Sequence, residues 1–138
     1  MKSCYRFAAF YAVIALIGGV FYREFTKFNG FTGTTALGVV HTHAFILGMF
    51  FFLILLILEY QFQISNSRRF SLFIALYNAG LLLTIIMLAV RGTLQVLGTE
   101  LSTGMDASIS GIAGIGHILL GIGLLFFFLS LKDRIRLD

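Results

Sequence analysis

Charge is what this sequence has least of. Only 12% of its 138 residues are Asp, Glu, Lys or Arg, against 59% hydrophobic. That is about half the charged share of an ordinary soluble domain, and it argues against a water-soluble fold. Cysteine occurs once, at Cys4, so an intramolecular disulfide and a thiolate-only zinc site are both excluded. Tryptophan and proline are absent, and the 15 glycines sit mostly inside apolar runs rather than in linkers. The chain also lacks a Ser-His-Asp set, a phosphate-cradling glycine loop and a paired-carboxylate site. A net charge of +4 raises nucleic acid as a partner, but there is no basic stripe to bind it. The length allows one domain.

In place of charge there are long uncharged runs: Phe7–Tyr22, Leu37–Leu58, Ser71–Val90 and Ala107–Leu131. A helix needs about 20 apolar residues to cross a bilayer core of roughly 30 Å. Three runs meet that length outright. The first is short, but Tyr5 and Arg6 can snorkel below it and Tyr22 can anchor its upper end. No small-x-small cleavage motif follows it, so it reads as a retained span rather than a signal peptide. The expected fold is therefore all-α, an integral membrane four-helix antiparallel bundle in one domain. Its spans are expected at approximately residues 5–23, 37–59, 70–96 and 108–131. Gly30, Gly33, Ser65, Asn66, Gly98 and Gly104 supply the turns.

On that topology Lys2, Arg6, Arg68, Arg69, Lys132, Arg134 and Arg136 fall on one side, and Arg23, Lys27 and Arg91 on the other. The positive-inside bias places both termini in the cytoplasm, and a bacterial plasma membrane is the expected location. Glu59, Asp133 and Asp138 fall inside and Glu24, Glu100 and Asp106 outside. The net charge is then an orientation signal, and the expected surroundings are lipid rather than nucleic acid.

Ionisable groups inside spans are costly and are the first functional candidates. All three histidines fall there: His41 and His43 on the second helix, His117 on the fourth. At a rise of ~1.5 Å per residue, His41 and His43 are expected about 6–9 Å below the outer helix end, and His117 about 10–15 Å below its own. Second and fourth helices of a simple bundle face each other across its centre. Two imidazoles at similar depth there suit an axially ligated haem. A helix turns ~100° per residue, so His41 and His43 point about 200° apart and cannot share one compact ion. One of them is left for a second cofactor, a neighbouring subunit of a homo-oligomer or a backbone acceptor. Zinc held by all three histidines is a poor fit, with only Glu100 and Asp106 near enough to complete a site.

Small residues flank both positions. Gly38, Ala44 and Gly48 share a face with His41, and Ala113, Gly114 and Gly121 share one with His117. Such stripes either pack helices closely or make room for a flat cofactor. On this reasoning His41 is the expected partner of His117. Arg91 interrupts the third helix at a similar depth, where it can meet haem propionates, pair with Glu24 or snorkel outward. Tyr77 and Asn78 are expected to make interhelical hydrogen bonds. Met49, Met87 and Met105 form no copper ladder and read as packing. Without a Cys-x-x-Cys-His run, any haem is of b type.

Two resemblances bear on these residues. The stretch Phe21-Tyr22-Arg23-Glu24-Phe25-Thr26-Lys27-Phe28, followed by Leu37-Gly38-Val39-Val40-His41-Thr42-His43 and Gly48-Met49, resembles an uncharacterised family of small four-helix bacterial membrane proteins. His41-Thr42-His43-Ala44-Phe45-Ile46-Leu47-Gly48-Met49 is similar to the His-x-His helix of haem-copper oxidase catalytic subunits and nitric-oxide-reductase relatives. That resemblance implies His41 on an open-coordination haem and His43 as a low-spin ligand paired with His117. The four expected spans are far fewer than in that family, and the histidine set for its copper ion is missing.

The function expected from the sequence is a b-type haem membrane protein with one or two haems. It would move electrons with a quinone or an outer-face acceptor, or sense or handle a diatomic gas; whether it is an oxidoreductase in its own right is left open. The alternatives are a zinc- or copper-binding accessory or transport protein without haem, and a structural subunit whose histidines only join helices.

Overall fold

A computed structural model describes residues 1–135. Arg136 and Asp138, counted above on the inner side, lie outside the described residues. The chain forms four long helices: α1 (Lys2–Phe28), α2 (Leu37–Phe62), α3 (Phe70–Val96) and α4 (Thr103–Lys132). They contain 26 to 30 residues each, and every one is long and apolar enough to cross a membrane. Among the described residues there is no strand.

The helix ends follow from local chemistry. Gly30 and Gly98 take positive φ angles of 59° and 62° just beyond α1 and α3. In each case the glycine N–H and the next N–H turn back onto carbonyls of the last turn: Gly30 to Lys27 and Phe31 to Thr26, Gly98 to Gln95 and Thr99 to Leu94. This paired reversal stops a helix without leaving its carbonyls bare. It allows α1 to stay helical through Arg23, Glu24 and Lys27, beyond the expected end at residue 23. The fourth helix starts at Thr103 rather than at 108, because the Ser102 side chain accepts from the Met105 N–H and Asp106 lies in the first turn. A sequence reading weighted by apolar character stops short at such polar helical turns.

Within α2, residues Ala44–Phe50 are π-helical. This wider turn begins directly after His43 and frees local backbone geometry: the Leu47 carbonyl accepts from the Tyr77 hydroxyl at 2.8 Å. Tyr11 likewise donates to the Asn78 amide oxygen at 2.9 Å, tying α1 to α3. Tyr77 and Asn78 thus make the interhelical bonds expected of them.

Glycine sets the close approaches. On the α1–α2 seam Gly48 lies under the root of the Tyr11 ring and Gly38 beside the Tyr22 ring. Between α2 and α3, Gly92 lies against Leu37, and its carbonyl accepts from the Thr35 hydroxyl at 2.8 Å. Between α3 and α4, a Cβ on Gly80 would stand 2.5 Å from the Leu120 nitrogen, and one on Gly123 2.8 Å from the Tyr77 backbone. Backbones approach this closely in membranes when small residues line the contact. Below the histidines an aromatic cluster joins three helices: Phe51 stacks on Tyr77 at 4.4 Å and meets Phe127 edge-on at 5.4 Å. Of the two phenylalanine triplets, Phe51, Phe52 and Phe127 face inward, while Phe50 and Phe128 face outward.

The arrangement is open on one side. Helix α1 packs along α2, and α4 packs along α3, with no comparable α1–α4 seam among the described residues. Only 22–39% of the residues in each apolar span are buried inside the protein. Leu16, Ile17 and Val20 of α1 are each more than 60% exposed. In water such a surface would be prohibitive; acyl chains are the natural solvent for it.

Candidate functional site

The three histidines lie in the N-terminal halves of α2 and α4, helices held by α3. Gly92 of α3 lies against Leu37 at the start of α2, and Thr84 lies against Gly116 of α4. Using α3 as a ruler, Gly116 is ~12 Å below the level of Leu37, and His43 is ~9 Å below it at 1.5 Å per residue. His43 and His117 therefore agree in depth to within ~5 Å. The early start of α4 puts His117 ~21 Å from its own helix end rather than the expected 10–15 Å. The upper turns of α4 extend past the top of α2, so the common level is the meaningful reference.

Ring hydrogen bonds divide the three residues. His43 Nδ1 lies 2.8 Å from the Val39 carbonyl, and His117 Nδ1 lies 2.9 Å from the Ala113 carbonyl. A carbonyl only accepts, so Nδ1 carries the hydrogen in both rings. In the neutral ring Nε2 then bears a free lone pair. This is the backbone acceptor anticipated for one member of the His41–His43 pair. His41 differs. Its Nδ1 is buried without a partner, and its ring stem rests beside Gly19 of α1.

Their surroundings differ as well. The small face expected to make room beside His41 is the α1–α2 seam, where the rings of Tyr11 and Tyr22 already fill the space at Gly48 and Gly38. The preference for His41 as the partner of His117 therefore loses its basis, and Gly48 is a packing residue. Around His117 the opposite holds. A Cβ on Gly114 or Gly121 would meet nothing within 4 Å, and His117 itself is exposed. The structure brings His41 and Gly48 to the α1 side of α2, and leaves His117, Gly114 and Gly121 together on an open stripe of α4.

Arg91 reaches onto that stripe. Its guanidinium donates to Asp106 Oδ1 at 3.0 Å and to Ser110 Oγ at 2.7 Å, while Glu24 pairs with Arg23 instead. Ser110, Gly114, His117 and Gly121 follow one another at helical spacing, so Arg91 stands ~10 Å above His117 on the same face. Among the described residues no group of three or more His, Cys, Asp or Glu side chains is placed to hold a metal ion.

Two polar features were not anticipated. Glu59 is only 7% exposed near the C-terminal end of α2, where it accepts from both the backbone N–H and the hydroxyl of Ser65. Thr84 is fully buried against Gly116, and its hydroxyl has no partner. The sequence signal for Glu59 was its place before the Ser65-Asn66 turn; Thr84 carries no comparable signal.

Fold and helix composition together define a class: an all-α protein of four helices long and apolar enough to cross a membrane, with histidines on the second and fourth. The chain belongs to a protein family of unknown function, DUF2871, whose model matches residues 1–134. No curated protein and no solved structure matches the chain. The likeness of the His-x-His helix to haem-copper oxidase subunits has no counterpart in these findings and remains a local resemblance.

Proposed function

We propose that this protein binds b-type haem in the bacterial plasma membrane, with both termini cytoplasmic, and serves in quinone-linked electron transfer or diatomic-gas handling. The observation that carries the reading is the shared state of His43 and His117. Each has its Nδ1 hydrogen fixed on a backbone carbonyl four residues earlier, leaving Nε2 as a ligand atom. Imidazoles that ligate a metal are commonly oriented by such a second bond. Equal depth to within ~5 Å adds support.

In this reading His43 and His117 hold the iron, and Gly114 and Gly121 leave space for the ring. Arg91 offers the guanidinium edge not engaged by Asp106 and Ser110 to the cofactor's acidic groups. Haem supplies one-electron chemistry or a gas-binding iron when bound. The zinc or copper alternative has less support, since too few ligating side chains converge.

The test is an optical spectrum with pyridine-haem analysis of protein purified from haem-replete cells. A Soret band is expected in the wild type and in His41→Ala, and its loss in His43→Ala and His117→Ala. Colourless, iron-free wild-type protein overturns the proposal; stoichiometric zinc or copper without iron would favour the alternative.

A further inference from the structure

Reading His43 and His117 as the ligands releases His41, and its state differs from theirs in a way that points to a second ligand. The His41 Nδ1 atom is buried with no hydrogen-bond partner. A hydrogen placed there would be a buried orphan donor, the rarest kind of unsatisfied group in folded proteins. The neutral ring therefore keeps its hydrogen on Nε2, the reverse of His43 and His117. Nε2 is not among the buried, partnerless atoms, so its N–H is the ring donor left for the surface that His41 lines. That surface is a groove of about 470 Å³ lined by His41, Thr42, Phe45, Ile46, Met49 and Phe50. It opens sideways from α2, and Ile46 and Phe50 at its edge are more than half exposed.

The chemistry of this groove restricts its occupant. No charged side chain lines it, so phosphate and carboxylate headgroups find no counter-ion. Its floor is ~6 Å below the top of α2, on a face that a bilayer would cover. An acyl chain could lie there, but it has no acceptor for the His41 N–H. A flat ring carrying a carbonyl and an apolar tail satisfies all three features: donor, aromatic walls and lateral opening. We infer that His41 and the groove beside it bind the headgroup of a lipid-soluble quinone, with His41 Nε2–H donating to a quinone carbonyl. The site lies on the same two-residue His-x-His step as His43, on the opposite side of α2, which places the partner next to the proposed haem ligand.

The experiment is photolabelling of the purified full chain in lipid nanodiscs with an azido-naphthoquinone, followed by peptide mapping. Label is expected on residues 41–50. It should fall ~10-fold in His41→Phe, about the value of one hydrogen bond, and be restored in part by His41→Gln, which keeps a side-chain N–H. Ile46→Trp fills the groove from an exposed position and should abolish labelling even where His41→Phe folds poorly. Labelling unchanged in both His41→Phe and Ile46→Trp, or lying outside residues 41–50, overturns the inference. Equal labelling of the groove by an azido fatty acyl probe also overturns it. The two readings separate cleanly: colourless protein that still labels at 41–50 refutes the haem proposal and upholds the quinone site, whereas coloured protein with His41-independent labelling does the reverse.

Discussion

Glycines in this chain do two different jobs, and alanine substitution separates them. A Cβ on Gly80 would stand 2.5 Å from the Leu120 nitrogen and 2.8 Å from the Gly116 carbonyl oxygen. Both neighbours are backbone, so no rotamer change relieves the clash; α3 and α4 must part by about 1 Å to restore ordinary contact. Overpacking of this kind costs about 1–3 kcal/mol, and removing a helical glycine returns about 1 kcal/mol. With both clashing neighbours backbone, the upper part of that overpacking range, about 2–3 kcal/mol, applies, and the net expectation for Gly80→Ala is a loss of about 1–2 kcal/mol, or a 5- to 30-fold shift towards the unfolded state. Gly48→Ala should behave alike, because its Cβ would run into the root of the Tyr11 ring. At Gly114 a Cβ meets nothing within 4 Å, so Gly114→Ala should be neutral or slightly stabilising while lowering haem occupancy. The assay is denaturant titration in mixed micelles followed by circular dichroism, with the Soret absorbance per chain read in parallel. Wild-type stability of Gly80→Ala would refute the seam. A Gly114→Ala protein, doubled with Gly121→Ala, that stays fully coloured would refute the cofactor face.

Two further expectations concern the end of the bundle that holds the α2–α3 turn and the end of α4. Glu59 accepts two hydrogen bonds from Ser65 next to Gln63, which holds a left-handed φ of 49°. Bonds to a charged acceptor contribute about 1.5–3 kcal/mol each, so Glu59→Ala should cost several kcal/mol in the same titration and Glu59→Gln about half as much; a loss below 0.5 kcal/mol would discount the cap. The Ser67 hydroxyl bond, aided by the Arg69 pair, holds the Asp133 carboxyl below its ordinary value. A lowered carboxylate stabilises the fold above the usual value of about 3.9 and loses that contribution as pH falls through its folded value. Asp133→Asn should therefore flatten the acid limb of the stability–pH curve and leave a carboxylate-independent remainder; an unchanged acid limb would refute the pairing.

Much of this architecture was legible because it rests on composition. Uncharged runs locate helices in any apolar solvent, and Tyr77 and Asn78, polar within such a run, had few options besides partners on neighbouring helices. Helix ends were less legible, since Ser102 and the reversal at Gly30 extend helices through polar turns that hydropathy discounts. The glycine faces were ambiguous for a physical reason: a stripe of small residues is the same whether a tyrosine or a cofactor fills it. Only the position of Tyr11 on α1 distinguishes Gly48 from Gly114.

The histidines show where sequence periodicity stops. A two-residue step on a helix requires His41 and His43 to diverge, and that much follows from 100° per residue. Which nitrogen each ring offers does not follow from spacing. It depends on whether the side chain can fold back to the carbonyl four residues earlier, and His41, held against Gly18 and Gly19 of α1, does not make that bond. The short motif thereby yields two chemically opposite groups, a lone pair at His43 and a donor at His41. A function that uses both needs one partner that accepts a lone pair and another that accepts a hydrogen bond. An iron centre and a carbonyl-bearing lipid meet those needs, and a single zinc ion does not.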